Sequence, residues 1–119
     1  SYNSMKGIML VQSGVEVKNM ERAKEEILRQ LDEVKQGNFD ESEVEAAKMS
    51  LCNSYRTLSD SLGGLENWYL SQTFASHSQQ PEEAAAQINA VTRQEIIDAA
   101  NRVTLDTVYC LVGNGEDAQ

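Results

Sequence analysis

The sequence predicts an α+β fold in which helices pack on one face of a small sheet, in the order strand, four to five helices, strand. Three observations carry this. Apolar residues recur every three or four positions through the middle of the chain, which is the helical period. Residues 8–11 are an uninterrupted apolar run, and residues 107–112 alternate between Val108, Cys110, Val112 and Tyr109, Leu111, both of which are strand patterns.

Residues 7–17 read as one strand, apolar on both faces over Ile8 to Val11 and drifting toward alternation where Gln12 and Glu16 face out against Val15 and Val17. Asn19 is placed to cap a helix with Met20, Ala23, Ile27, Leu31 and Val34 inward and a Glu25–Arg29 pair on its wet face. Gly37 supplies the left-handed residue that ends it, with Phe39 positioned to fold back on the last turn. The longest helical pattern covers residues 40–62, with Val44, Ala47, Leu51, Tyr55, Leu58 and Leu62 on one face and Asp40 and Glu43 at capping-box spacing.

Gly63-Gly64 interrupts this pattern, because two glycines cost a helix interior roughly 2 kcal/mol. A break and restart is expected there, as a packing corner where backbones approach closely. A phosphate-binding loop is not, since no Lys follows and no strand precedes. Trp68, Tyr69 and Phe74 then form a core patch or, if exposed, a docking surface. Pro81 opens a short helix with Glu82 and Glu83 in its first turn, and Thr92-Arg93-Gln94-Glu95 is a capping box for a last helix with Ile96, Ala99, Ala100 and Val103 inward.

At 119 residues and 40% apolar content, the chain suits one domain or domain fragment, residues 1–119, with 116–119 as a frayed tail. Lys plus Arg number 10 against 19 Asp plus Glu, and the net charge of -9 argues against nucleic-acid and membrane-surface partners. No apolar run approaches the ~20 residues a membrane span needs, so a soluble, cytoplasmic protein is expected. Two strands make a marginal sheet alone, so further strands are expected from outside these residues, and the 7–17 edge is expected to pair with a second copy.

Chemistry-bearing residues are sparse. His77 is the one histidine, and a His-x-x-Glu-His or His-Glu-x-x-His zinc site needs two, so His77 reads as a solvated loop residue. Cys52 and Cys110 read as unpaired buried thiols, with a bridge as the alternative. Glu41, Glu43 and Glu45 read as a solvated face, because alternate residues on a helix do not converge.

The pattern as a whole resembles a known family. The run Asn-Ser-Met-Lys-Gly-Ile-Met-Leu-Val-Gln-Ser-Gly-Val at 3–15 and the helix at 19–37 carry the likeness, with Glu-Val-Glu-Ala-Ala-Lys at 43–48, Asn-Ala-Val-Thr-Arg-Gln-Glu-Ile-Ile at 89–97 and Tyr-Cys-Leu-Val-Gly-Asn-Gly at 109–115. Together and in this order they resemble the insulinase/pitrilysin zinc metallopeptidases, which include mitochondrial processing peptidase. The likeness fits the later part of the non-zinc C-terminal half of a bacterial member, within the LuxS/processing-peptidase-like metallohydrolase fold. The resemblance implies a peptide hydrolase of two similar halves around a chamber, with zinc held in the first half and a substrate-holding Arg and Tyr in the second. Neither group is matched here, since Arg56 and Tyr69 lack the family spacing. No catalytic, cofactor-binding or metal residue is therefore carried over. The implied role is scaffold, a wall of the substrate chamber that is inactive alone, with the N-terminal zinc-bearing half or a partner subunit as its neighbour. The alternatives are a piece of a non-catalytic partner subunit and a free-standing α+β interaction module.

Overall fold

A computed structural model describes residues 1–3, 6–76 and 78–113. Two short strands, β1 (Tyr2–Asn3) and β2 (Ile8–Met9), pair antiparallel, with Tyr2 opposite Met9 and Asn3 opposite Ile8. Ser1 and Leu10 extend the ladder by exchanging both backbone bonds, at 2.7 and 2.8 Å. A 3-10 turn at Val17–Asn19 leads into α1 (Met20–Gln36), followed by α2 (Glu41–Leu58), α3 (Leu62–Phe74), α4 (Pro81–Asn89) and α5 (Arg93–Asn101). Five helices were expected at most and five are present among the described residues. The strands are where expectation and structure part.

Of the strand predicted at 7–17, only Ile8–Met9 is a strand, with Leu10 bonded to Ser1 just beyond it, and residues 107–112 lie in no strand. The reason is physical: a strand is held by bonds to its neighbour, and neither segment has a strand to pair with over most of its length. Their apolar side chains stay open instead, with Ile8 53%, Val11 54%, Val108 47% and Leu111 85% exposed. Residues 114–119, including the predicted frayed tail, lie outside the described residues.

Helix starts follow local chemistry. Asp40 precedes α2, and its N–H donates to Glu43 Oε2 at 2.9 Å. Thr92 Oγ1 accepts the Glu95 N–H at 3.2 Å and Pro81 occupies the first turn of α4. Asn19 does not cap α1 as predicted, because it sits inside the 3-10 turn with no side-chain cap bond. Gly37 ends α1 in the left-handed region at φ 78°, and the Asn38 N–H reaches back to the Glu33 carbonyl at 2.9 Å. Between α2 and α3 the chain breaks at Ser59–Ser61, and the restart is capped by Ser61 Oγ on the Gly64 N–H at 3.1 Å. The close approach predicted there falls on Gly64, where a Cβ would meet Leu58 Cδ2 at 3.2 Å; Gly63 faces open space.

The helices pack as two pairs, α2 on α4 and α1 on α5, with α3 resting against α2. The buried apolar residues are Val44, Cys52, Ala84, Ala85 and Ala100, with Pro81 fully enclosed. Small residues on α4 let its backbone approach α2 closely, and this rotates the covered face of α2. Val44, Lys48, Cys52 and Tyr55 are covered, whereas Ala47 and Leu51 of the predicted stripe remain exposed and Leu62 is 86% exposed. On α5, Ile97 is half-buried where Ala99 was expected, and Ala99 is exposed.

The wet face of α1 also differs from expectation. Arg29 grips Glu26 with two bonds, at 2.6 and 2.9 Å, and stands 3.9 Å from Glu33; no bond to the predicted Glu25 is seen. The Arg29 bonds, then one from Gln30, hold the Glu26 carboxyl down to about 2 from its ordinary 4.5. A depressed carboxylate stabilises the fold above its unfolded pKa, and that contribution disappears as pH falls from about 4.5 through about 2. Full exposure keeps its size small. Arg29→Met should return the Glu26 titration toward 4.5, read by carboxyl carbon chemical shift, and an unmoved titration would contradict the assignment.

Candidate functional site

A groove lies where the two helix pairs meet. Apolar and about 140 Å³ in volume, it runs between α2, α4 and α5, lined by Val44, Ala47, Leu51, Ile88, Val91 and Ile96. It opens into a wider trough of about 480 Å³ between α1 and α2, where Arg29, Glu33, Asn38 and Glu43 form a polar side. The two share Val44, Ala47 and Ile96. Among the described residues Lys48 is the one polar residue on the groove wall, and its Nζ donates to the Asn89 carbonyl at 3.3 Å and stands 3.9 Å from Glu45, so the groove offers packing surface rather than chemistry.

The chemistry-bearing residues are dispersed. Cys52 is buried, its Sγ 3.5 Å from the Ala85 carbonyl and 3.4 Å from Asn89 Oδ1, so it joins α2 to α4. Cys110 is exposed rather than buried, because the strand meant to bury it has no sheet, and both thiols are free. Glu41, Glu43 and Glu45 are all exposed; Glu43 is spent on the helix cap and Glu45 lies 3.9 Å from Lys48. Among the described residues no group of three His, Cys, Asp or Glu could hold a metal ion. His77 lies outside them. Arg56 and Tyr69 both sit exposed, on α2 and α3.

The aromatic patch divides. Trp68 turns inward, its ring edge-on to Tyr55 at 5.4 Å and its Nε1–H donating to the Gln79 carbonyl at 2.8 Å. Tyr69, Leu70 and Phe74 face solvent at 49, 54 and 67% exposure. Sequence reading missed the clasp between α1 and α5. Arg93 stacks over the Phe39 ring at 4.2 Å and donates to the Gly37 carbonyl, while Lys35 Nζ donates to the Val103 carbonyl at 2.8 Å and Asn101 Nδ2 to the Lys35 carbonyl at 3.1 Å. The one local signal for it is an Arg at the start of a helix, where the dipole disfavours a cation.

No helix among the described residues is long and apolar enough to cross a membrane. No family model matches the chain, and no solved structure matches it. Over 110 residues the chain is 36% identical to "Probable inactive metalloprotease YmfF" of Bacillus subtilis (strain 168), a match that takes in 92% of this chain and 26% of that protein. The chain thus spans about a quarter of the relative's length. Along nearly all of its own length it is similar to a metallopeptidase-like protein.

Proposed function

We propose that this chain is a non-catalytic, scaffolding portion of a metallopeptidase-like protein. In an insulinase-type molecule it is the later part of the non-zinc C-terminal half, and its helices cover a sheet that walls the substrate chamber. Zinc and the peptide-cleaving groups then belong to the N-terminal half or a partner subunit, in a bacterial cytoplasmic protein acting on peptides. The observation that supports this most strongly is the surface the chain leaves open. It exposes 9750 Å², whereas a compact monomer of 13.2 kDa exposes about 6,400 Å². Its radius of gyration is 17.7 Å against about 13.5 Å for a compact domain of this length. The excess, roughly 3,300 Å², is what a large permanent interface covers, and it argues against a free-standing module.

In this reading residues 7–17 and 107–112 are strands whose partners come from further polypeptide, which completes the α+β architecture. A second reading, a piece of a partner subunit that has itself lost the zinc site, is favoured by the word "inactive" in the relative's name. The test is the purified chain. Metal analysis should find no stoichiometric zinc, and a library of quenched fluorescent peptides should stay uncut; tight one-to-one zinc or peptide cleavage that survives repurification would overturn the proposal. The reading frame that encodes the parent protein separates the two readings, since a complete His-x-x-Glu-His favours the first and a broken one the second.

A further inference from the structure

The two helix pairs are each held by directional bonds, and those bonds stay inside the pair. In the α1–α5 pair, Lys35 Nζ donates to the Val103 carbonyl, Asn101 Nδ2 to the Lys35 carbonyl and Arg93 to the Gly37 carbonyl. In the other, Lys48 Nζ donates to the Asn89 carbonyl at 3.3 Å, Cys52 Sγ lies 3.4 Å from Asn89 Oδ1, and Ser59 Oγ donates to Glu82 Oε1 at 3.1 Å. Among the described residues, no side-chain hydrogen bond or ion pair crosses from one pair to the other. What lies between them is apolar and partly empty. Val44 and Ala47 of α2 and Ile96 of α5 line both the groove of about 140 Å³ and the trough of about 480 Å³, and α1 and α2 flank that trough instead of packing. Apolar contact is non-directional, so it fixes no angle between the pairs.

The chain crosses from pair to pair twice, at Gly37 to Asp40 and at Ala90 to Thr92, and each crossing is pinned on both sides of one peptide link. At the first, Arg93 stacked 4.2 Å over the Phe39 ring ties Phe39 to α5, while the Asp40 N–H, donating to Glu43 Oε2 at 2.9 Å, ties Asp40 to α2. At the second, the Val91 N–H donates to the Ile88 carbonyl at 3.2 Å, and Thr92 Oγ1 accepts the Glu95 N–H at 3.2 Å. Val91 thus belongs to α4 and Thr92 to α5. Bending is left to two links, Phe39–Asp40 and Val91–Thr92. Asp40 and Thr92 are both extended, at φ −83°, ψ 152° and φ −91°, ψ 158°, in the broad region where these angles vary at little steric cost. A few element-end residues that absorb such changes are what a hinge between rigid bodies consists of. Arg93 follows the second link directly and stacks on the residue that opens the first, so the two links lie side by side and define one axis. All the groups involved lie between Met20 and Val103, in the interior of the chain.

We propose that α1–α5 and α2–α4 are two rigid bodies hinged at Phe39–Asp40 and Val91–Thr92, and that the hinge opens and closes the apolar cleft lined by Val44, Ala47 and Ile96. Arg93 is a positioning residue, which confines the first bend to one link by holding Phe39 on α5. The width of the cleft is then adjustable without unfolding either pair.

Residual dipolar couplings of the backbone amides, measured on the weakly aligned 119-residue chain, test this. Couplings from α1 and α5 should fit one alignment tensor and those from α2 and α4 a separate one of different magnitude, because bodies that reorient against each other average differently. Ala47→Leu adds apolar bulk that meets Ile96 across the cleft, and should bring the two magnitudes together. Arg93→Gln releases Phe39 and should move them further apart. One tensor that fits all four helices of the unaltered chain overturns the hinge. Couplings that fit no common tensor within either pair overturn the rigid bodies, and two tensors indifferent to both substitutions overturn the assigned links.

Discussion

Replacing Ala85 by leucine lowers stability by about 2 kcal/mol, enough to lower the thermal midpoint by roughly 10 °C. Ala85 is 6% exposed, follows Ala84 at 7% and lies one turn beyond the fully buried Pro81, and its carbonyl lies 3.5 Å from the Cys52 sulfur. The α2–α4 contact is close because these side chains end at Cβ. Three added carbons have no cavity to enter, so the helices must separate or the leucine must adopt a strained rotamer. With so few apolar side chains fully buried, little other packing offsets the loss. Ala86, exposed on the same helix, is the control: Ala86→Leu should change stability by less than about 0.5 kcal/mol. Thermal unfolding followed at 222 nm reads both. Equal effects at the two positions would show that α4 does not pack as described.

Replacing Trp68 by alanine costs about 2 to 3 kcal/mol, below the range for a fully buried tryptophan because the ring is only half-buried. The ring makes two distinct contributions. Its edge-on contact with Tyr55 ties α3 to α2, and its Nε1–H satisfies the Gln79 carbonyl ahead of α4. Phenylalanine separates them: it keeps an aromatic ring against Tyr55 and removes the donor, for a cost of about 1 kcal/mol. Urea unfolding of the three proteins measures the series. Trp68 is the chain's one tryptophan, so its fluorescence in the unaltered protein should shift to the red on unfolding as the indole meets water. If alanine and phenylalanine cost the same, the stacking contact carries nothing.

What the sequence made legible is what short-range chemistry decides. Asp40 with Glu43, Thr92 with Glu95, Pro81 and Gly37 mark helix ends through bonds made within a few residues, and all four fall where expected. The facing of α2 was not legible, because Ala47 and Leu51 fit the period as well as Lys48 and Cys52 do, and the small residues of α4 made the choice. A helical stripe says which residues can be inside, and the partner says which are. Arg93 on Phe39 escaped for a related reason: a contact between residues far apart in the chain leaves no periodic trace. The strands escaped more completely. Residues 7–17 and 107–112 carry strand patterns, but a pattern is only a capacity to pair, and pairing needs a neighbour that these residues do not supply. On the site, the acids and thiols of the described residues lie dispersed, a placement that depends on helix packing and so left no mark in the sequence.

The central claim is that this polypeptide is a cover whose sheet is completed from elsewhere, and amide hydrogen exchange addresses it most directly. At a dilution where the chain is monomeric, amides of α2 and α4 should exchange slowly, while those of residues 11–16 and 105–112 should exchange near the rate of an unstructured peptide. Slow exchange throughout both segments in the monomer would mean that they already form a sheet of their own, and the account would be wrong.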